Sequence, residues 1–225
     1  MKKFTDIALP VIAAVAIIFA LAGALLIAPT EKAMGHVQRI FYFHLGSAAA
    51  AFAGFTLVLA ASVAFILSRR MVFDSVAFAA GEVGVLFCSF VLLTGPMWAR
   101  PVWGQWWVWD PRLTTTLFLW FLYVGYLVLR HMMPGYRGAM AGAVFAILAY
   151  VDVPVVYFSV RWWRGIHPRV LQGGGGLDPA MIPPLLVCVA AFGLLAMALI
   201  RERFEIQRLE ESVSRAEDTL EVEAR

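Results

Sequence analysis

Most of this chain consists of long apolar runs, each bounded by charged residues, Gly or Pro. A helix that spans a bilayer needs about 20 predominantly apolar residues, and six runs approach or exceed that length. The pattern therefore predicts six transmembrane helices, at Ile7–Ala28, Ser47–Leu67, Phe73–Met97, Leu113–Leu129, Gly138–Val160 and Met181–Ile200. The fold class that follows is an all-α polytopic membrane protein with a transmembrane domain over residues 1–200.

The pattern changes abruptly after the sixth run. Residues 201–225 contain 5 Arg and 8 acidic residues, so we expect a charged, helical, cytoplasmic tail. Apolar residues at helical spacing form a narrow stripe along it, at Leu209, Val213, Ala216 and Leu220. Two interpretations stay open: a solvated helix, or a helix that docks a partner.

Composition supports the membrane class and excludes several others. Hydrophobic residues make up 62% of the chain and charged residues only 15%, whereas soluble domains are about a quarter charged. The two cysteines lie in apolar runs without CxxC spacing, which argues against a disulfide framework or a zinc site. The net charge is +3, but the basic residues are scattered, so we do not expect nucleic acid as a partner. We expect the apolar helices to contact membrane lipid.

Orientation is only weakly encoded. Six spans place both termini on one side, and basic residues are almost equally numerous on the two sides, with a slight excess favouring cytoplasmic termini. The first span follows Lys2 and Lys3 and is longer than the apolar region of a signal peptide, so we expect it to be a retained anchor. The basic residues on the outward face then suggest an anionic ligand there.

Tryptophan is concentrated in the two large outward loops. The chain has 8 Trp, and seven of them fall on this one face: Trp98, Trp103, Trp106, Trp107, Trp109, Trp162 and Trp163. An interfacial aromatic belt would populate both faces of the membrane. The one-sided cluster therefore favours a platform for a flat, apolar ligand.

Histidine and arginine accompany these tryptophans. His44 and His167 flank the Trp-rich segment in the sequence, whereas His36 and His131 have the features of ordinary loop residues. Arginines on the same face are Arg39, Arg100, Arg112, Arg161, Arg164 and Arg169. Haem matches this set: its planar ring stacks on indoles, its propionates pair with Arg, and its iron binds imidazole.

Three stretches resemble a known family. The segment Trp103-Gly104-Gln105-Trp106-Trp107-Val108-Trp109-Asp110-Pro111-Arg112-Leu113-Thr114 is similar to the WWxWDxRLT segment of the haem-handling proteins. Arg39–His44 and Ser159–Trp163 followed by His167 resemble the histidine segments of one branch, the CcmC family of haem-delivery subunits in bacterial cytochrome c maturation. The chain departs from the motif at Pro111, where Ala is usual, and in the glycine run 173–176.

The resemblance implies a function and a ligand set. It implies haem b held at the periplasmic face of the inner membrane, with His44 and His167 as axial ligands of the iron. The implied cradle comprises Trp103, Trp106, Trp107, Trp109, Asp110, Arg112, Arg161, Trp162, Trp163 and Arg164. The implied partners are the haem chaperone CcmE, the ABC-type subunits CcmA and CcmB, and the small CcmD, with ATP hydrolysed by a partner rather than by this chain.

Two acidic residues lie within predicted spans, where an ionisable group is costly and commonly functional. Glu82 falls near mid-membrane, and either a structural hydrogen bond or a relay from a partner is consistent with it. Asp152 precedes Pro154, which should kink its helix below the haem site. Two other functions remain open: a haem-containing electron-transfer subunit, and a permease subunit for a different substrate.

Overall fold

The computed structural model describes residues 2–32, 34–168 and 177–223. Within those ranges the chain is almost entirely helical. The α-helices are α1 (Lys2–Ala22), α2 (Ile40–Ser68), α3 (Met71–Trp103), α4 (Pro111–Met132), α5 (Gly135–Ala149), α6 (Asp152–Trp162) and α7 (Ile182–Glu223). A π-helical turn (Gly23–Ile27) extends α1, and 3-10 turns (His36–Arg39 and Pro179–Met181) lead into α2 and α7.

The predicted six-span architecture is confirmed. Six helical segments are long and apolar enough to cross a membrane, with α5 and α6 together forming the fifth. The two residues Tyr150 and Val151 separate α5 from α6, and the first turn of α6 contains Asp152 and Pro154. Pro in a first helical turn loses no intrahelical hydrogen bond, so this sequence restarts a helix easily.

Helices α2 and α3 form the centre of the bundle, and small residues allow their close approach. A Cβ atom built on Gly54 of α2 would lie 3.1 Å from the Cα atom of Gly84 on α3. A Cβ on Gly84 would overlap the ring of Phe55, which is fully buried and stacks on Tyr123 of α4 at 3.9 Å. Small residues at such crossings are typical of membrane helix packing.

The alternation of helices creates two ends of the bundle. The start of α2, the end of α3, the start of α4, the end of α6 and the start of α7 share one end, which we term the site end. The opposite end, the tail end, carries the C-terminal part of α7. Helix α7 has 42 residues and is about 63 Å long at helical rise, so the sixth span continues into the tail without a break. The helix continues to Glu223, although the sequence predicted the sixth span to end at Ile200.

Two ion pairs join helices away from the site end. Asp74 at the start of α3 binds Arg130 at the end of α4 through two hydrogen bonds of 2.5 and 3.1 Å, and both side chains are buried. Glu82 of α3 pairs with Arg203 of α7 at 2.6 Å. The second pair gives Glu82 a partner on a neighbouring helix and shows that Arg203 packs against the bundle.

Candidate functional site

His44 lies in the second turn of α2, on the side that faces α3. Its Nδ1 atom is 2.9 Å from the hydroxyl oxygen of Thr94 near the end of α3. Its ring also passes beside Gly95, where an added Cβ would lie 3.6 Å from the Cε1 atom of His44. Two neighbouring residues of α3 therefore hold this imidazole of α2 at the site end.

His167 reaches the same end from the loop that follows α6. Its Nδ1 atom lies 3.2 Å from the carbonyl oxygen of Pro168, which can only accept a hydrogen bond. Burial, and secondarily the positive charge of Arg112, lower the pKa of His167 from 6.5 to about 4, although the Pro168 carbonyl and Asp110 act in the opposite direction. His167 is consequently neutral near pH 7, the form in which imidazole binds a metal.

Asp110 connects the Trp-rich segment to the His167 loop. One carboxylate oxygen accepts a hydrogen bond of 2.9 Å from the backbone amide of Arg112, so Asp110 is the N-cap of α4. The other oxygen accepts from the amides of Ile166 at 2.8 Å and His167 at 3.4 Å. The buried carboxylate thus positions the loop through its backbone and is occupied by three amides.

Pro111 and Gly165 make this junction possible. Pro111 occupies the first position of α4, where its missing N–H group costs nothing and its fixed φ suits the helix. The departure from the family motif is therefore structurally neutral at this point. A Cβ atom added to Gly165 would overlap the Asp110 carboxylate, so the loop can approach Asp110 only with glycine there.

Arg112 interacts electrostatically with both histidines. His44 interacts electrostatically with both His167 and Arg112, and Arg112 also interacts with His167. The guanidinium donates from Nη2 to the carbonyl oxygen of Tyr157 on α6, at 2.9 Å. Its Nε atom is buried and has no hydrogen-bond partner among the described residues. The guanidinium therefore has an unused donor at the site end.

The tryptophans divide by exposure. Trp109 is 75% exposed and Trp106 is 60% exposed, and Trp162 and Trp163 at the end of α6 are also exposed. Trp107 is half-buried and meets Trp109 edge to face at 5.6 Å. Trp103 instead packs edge to face on Trp98 at the end of α3, at 5.0 Å. Adjacent tryptophans of the segment therefore do not share one surface.

The remaining predicted residues lie on the periphery of the site. Arg161 and Arg164 are exposed, and the Arg161 guanidinium lies 6.0 Å from the ring of Phe158. Arg169 and the glycine run 173–176 fall outside the described residues. Asp152 is buried below the site end, at the break between α5 and α6, and its Oδ2 atom has no hydrogen-bond partner in the described part of the chain.

Sequence reasoning missed Thr94 and Gly165. Thr94 is a single polar residue in an apolar span, and its placement one residue before Gly95 and two before Pro96 was the available signal. Gly165 had no distinguishing signal, because a glycine in a loop is common and the overlap with Asp110 depends on a contact 55 residues away.

Comparisons with known proteins agree on one family. The chain matches the family described as CcmC, heme exporter protein C, over residues 1–218. It is similar to heme exporter protein C of Escherichia coli (strain K12), with 34% identity over 174 residues, covering 76% of this chain and 71% of that protein. The protein of the same name from Bradyrhizobium diazoefficiens is 34% identical over 177 residues, 77% of this chain and 67% of its own. That from Haemophilus influenzae is 32% identical over 197 residues, 84% of this chain and 78% of its own.

Proposed function

The chain belongs to the CcmC family of heme exporter proteins, and from that membership we propose that it binds haem b at the site end and delivers it for cytochrome c maturation. Haem is the cargo of this reaction, and the chain itself acts by binding and release. The family name supports haem as the ligand, and the arrangement of residues at the site end supports the manner of binding.

One observation carries the proposal: His44 and His167, which are 123 positions apart in the sequence, lie at the same end of the bundle, and both interact electrostatically with Arg112. Six-coordinate haem iron needs two axial donors, and neutral imidazole is a common one. His167 is neutral near pH 7 because of its burial. The donor set therefore fits haem, with one ligand from a packed helix and the other from a loop.

The surrounding side chains suit the rest of the cargo. A porphyrin is flat and apolar, and the exposed indoles of Trp109 and Trp162 offer stacking surfaces. Its propionates are anionic, and the unpartnered Nε atom of Arg112 is a donor of the correct charge. Arg161 and Arg164 are exposed and can pair with propionates at the rim. We assign Asp110 to holding the loop rather than to haem contact, because three amides occupy its carboxylate.

We propose that the site end is periplasmic and that both termini are cytoplasmic. The slight excess of basic residues on the tail side supports this orientation. The exposed tryptophans then face the periplasm, where CcmE would accept the haem. CcmA and CcmB would supply ATP-driven release from the cytoplasmic side, and CcmD would complete the complex.

Transfer of haem to CcmE tests the proposal. The complex of this chain with CcmA, CcmB and CcmD, loaded with haem and mixed with CcmE, should transfer haem to CcmE when ATP is present. The same complex with a hydrolysis-deficient CcmA should hold haem and release much less. If the loaded complex never passes haem to CcmE under either condition, the delivery function is wrong.

A further inference from the structure

The hydroxyl group of Thr94 lies at the centre of a short hydrogen-bonded chain between α3 and α2. Its oxygen is 2.7 Å from the carbonyl oxygen of Phe90, one turn earlier on α3, and 2.9 Å from the Nδ1 atom of His44. A carbonyl can only accept, and two oxygens 2.7 Å apart need a proton between them, so the single hydroxyl proton of Thr94 is directed to Phe90; the Val91 carbonyl, at 3.5 Å, is a weaker second acceptor.

That donation determines the tautomer of His44. Since the Thr94 proton is used on Phe90, the Thr94 oxygen can only accept from His44, and the imidazole proton must lie on Nδ1. The Nε2 atom then carries a lone pair and no proton. Which ring nitrogen is available to a metal is commonly decided by the hydrogen bond that the other nitrogen makes.

The backbone of α3 also restricts the orientation of the His44 ring. A Cβ atom built on Gly95 would lie 3.6 Å from the Cε1 atom of His44, so the backbone of α3 lies close beside the imidazole. His167 contrasts with this arrangement, since its Nδ1 atom pairs with the carbonyl of its own neighbour Pro168 and, within the described ranges, with no side chain of another helix. His44 is the imidazole whose orientation depends on a side chain from another helix.

We propose that Thr94 is a positioning residue for haem binding: its hydroxyl holds the proton of His44 on Nδ1 and directs Nε2 towards the iron. This inference rests on the proposed function, because it assigns the iron to His44. It adds a residue of α3 to a site otherwise built from α2, the Trp-rich segment and the loop after α6.

Substitution of Thr94 tests the inference in two measurements. Thr94→Val keeps the size and removes the hydroxyl, Thr94→Ala adds no atom that could clash, and Thr94→Ser keeps the hydroxyl. Thr56→Val is the matched control, because Thr56 on α2 donates the same kind of bond to Phe52 at 2.7 Å, three turns from His44. All variants are purified as the full chain, with helicity compared by circular dichroism.

The first measurement needs no haem. Nitrogen-15 NMR of the histidine side chains should assign the His44 proton to Nδ1 in the wild type, Thr94→Ser and Thr56→Val. Thr94→Val and Thr94→Ala should lose that fixed tautomer. A wild-type His44 with its proton on Nε2 would overturn the inference, whatever the haem result.

The second measurement is haem affinity and midpoint potential. Loss of a ligand's hydrogen-bond partner typically weakens metal binding about 10-fold to 100-fold, so Thr94→Val and Thr94→Ala should weaken haem binding by at least about 10-fold and shift the potential. Thr94→Ser should stay near the wild type. If Thr94→Val and Thr94→Ala bind haem as tightly as the wild type at the same potential, Thr94 is not a positioning residue. If the wild type itself binds no haem, the proposed function fails instead.

Discussion

The Oδ2 atom of Asp110 accepts a hydrogen bond of 2.8 Å from the backbone amide of Ile166, a residue 56 positions further along the chain. Asp110 is the N-cap of α4, whereas Ile166 immediately precedes His167 in the loop after α6. The bond therefore links the Trp-rich segment to the loop that supplies one of the two proposed iron ligands. The loop is placed through its backbone, independently of the side chains that it carries.

Replacement of this carboxylate should weaken haem binding without removing a ligand. Asp110→Asn keeps the size of the side chain. The asparagine amide has one oxygen that accepts hydrogen bonds, whereas both carboxylate oxygens of Asp110 accept them. We expect a loss of about 1–3 kcal/mol in stability, since a buried N–H group is left unpaired, together with reduced haem content. Thermal unfolding and haem per protein measure the two effects.

Asp178→Asn is the matched control for that variant. Asp178 also caps a helical turn, at the far end of the loop that contains His167, and its carboxylate accepts from the amide of Ala180 at 2.9 Å rather than from the amides of Ile166 and His167. Its substitution should leave haem content unchanged. Equal haem loss in the two variants would contradict the positioning role of Asp110.

The closeness of Gly165 to Asp110 makes a second prediction. In Gly165→Ala the new methyl group overlaps the carboxylate, so the loop and His167 must shift away from α4. We expect the visible haem spectrum to show loss of a strong axial ligand. Gly193→Ala on α7 serves as the control, because nothing lies within 4 Å of its added Cβ and alanine favours a helix. A Gly165→Ala protein with the wild-type spectrum would show that the junction tolerates displacement.

The unequal exposure of neighbouring tryptophans predicts two classes of variant. Trp106 is 60% exposed, and an exposed indole is a typical anchor for a protein partner, so Trp106→Ala should keep the haem spectrum but load CcmE poorly. Trp107 is half-buried and supports Trp109, so Trp107→Ala should lose haem. Trp120→Phe in α4, where the indole donates to Ser89 at 2.8 Å, is the control and should retain both properties. Proportional loss of binding and transfer in all variants of the segment would contradict the division.

The placement of the tail at the opposite end makes a fourth prediction. Truncation after Glu210 keeps the Arg203–Glu82 pair and the nearby Glu210 carboxylate, which lies 3.7 Å from Arg203. Haem affinity should therefore equal that of the full chain, measured by titration of the purified truncated protein. Loss of haem from a truncated chain of normal helicity would show that the tail contributes to the site.

The side chains of Ala216 and Leu220, half of the predicted apolar stripe, lie outside the described residues.

The spans could be predicted well from the sequence because each apolar run by itself identifies a membrane-spanning helix. Hydropathy depends on composition over about 20 residues, and no knowledge of neighbours is needed. Helix ends were predicted less well: α3 continues through Pro96 and Pro101 to Trp103, although the prediction ended that span at Met97. Proline weakens a helix without always ending it, particularly where packing against other helices supports it.

Pairings between distant residues could not be predicted in this way. Glu82 was a candidate for either a structural bond or a relay, and its partner Arg203 was assigned to the tail because it follows the last apolar run. Asp74 and Arg130 both lie at the ends of spans, where charges are ordinary, yet they form a buried pair. Removing one partner of such a pair typically costs about 3–5 kcal/mol. Only the packing of helices brings these residues together.

The candidate site shows the same limit. His44, His167 and the tryptophans were recognisable by residue type and by resemblance to a family motif. The supporting contacts of Asp110, Gly165 and Thr94 depend on the approach of separate elements, which a pattern along the chain does not encode.

The visible absorption spectrum of the haem-loaded protein tests the central claim, ligation by His44 and His167, most directly. Wild type and His131→Ala, whose histidine lies at the tail end, should show the same low-spin spectrum of iron with two histidine ligands. His44→Ala and His167→Ala should each shift the bands and retain less haem, and the double variant should retain least. If both single variants and the double variant keep the wild-type spectrum and haem content, the iron is bound elsewhere and the account of this site is wrong.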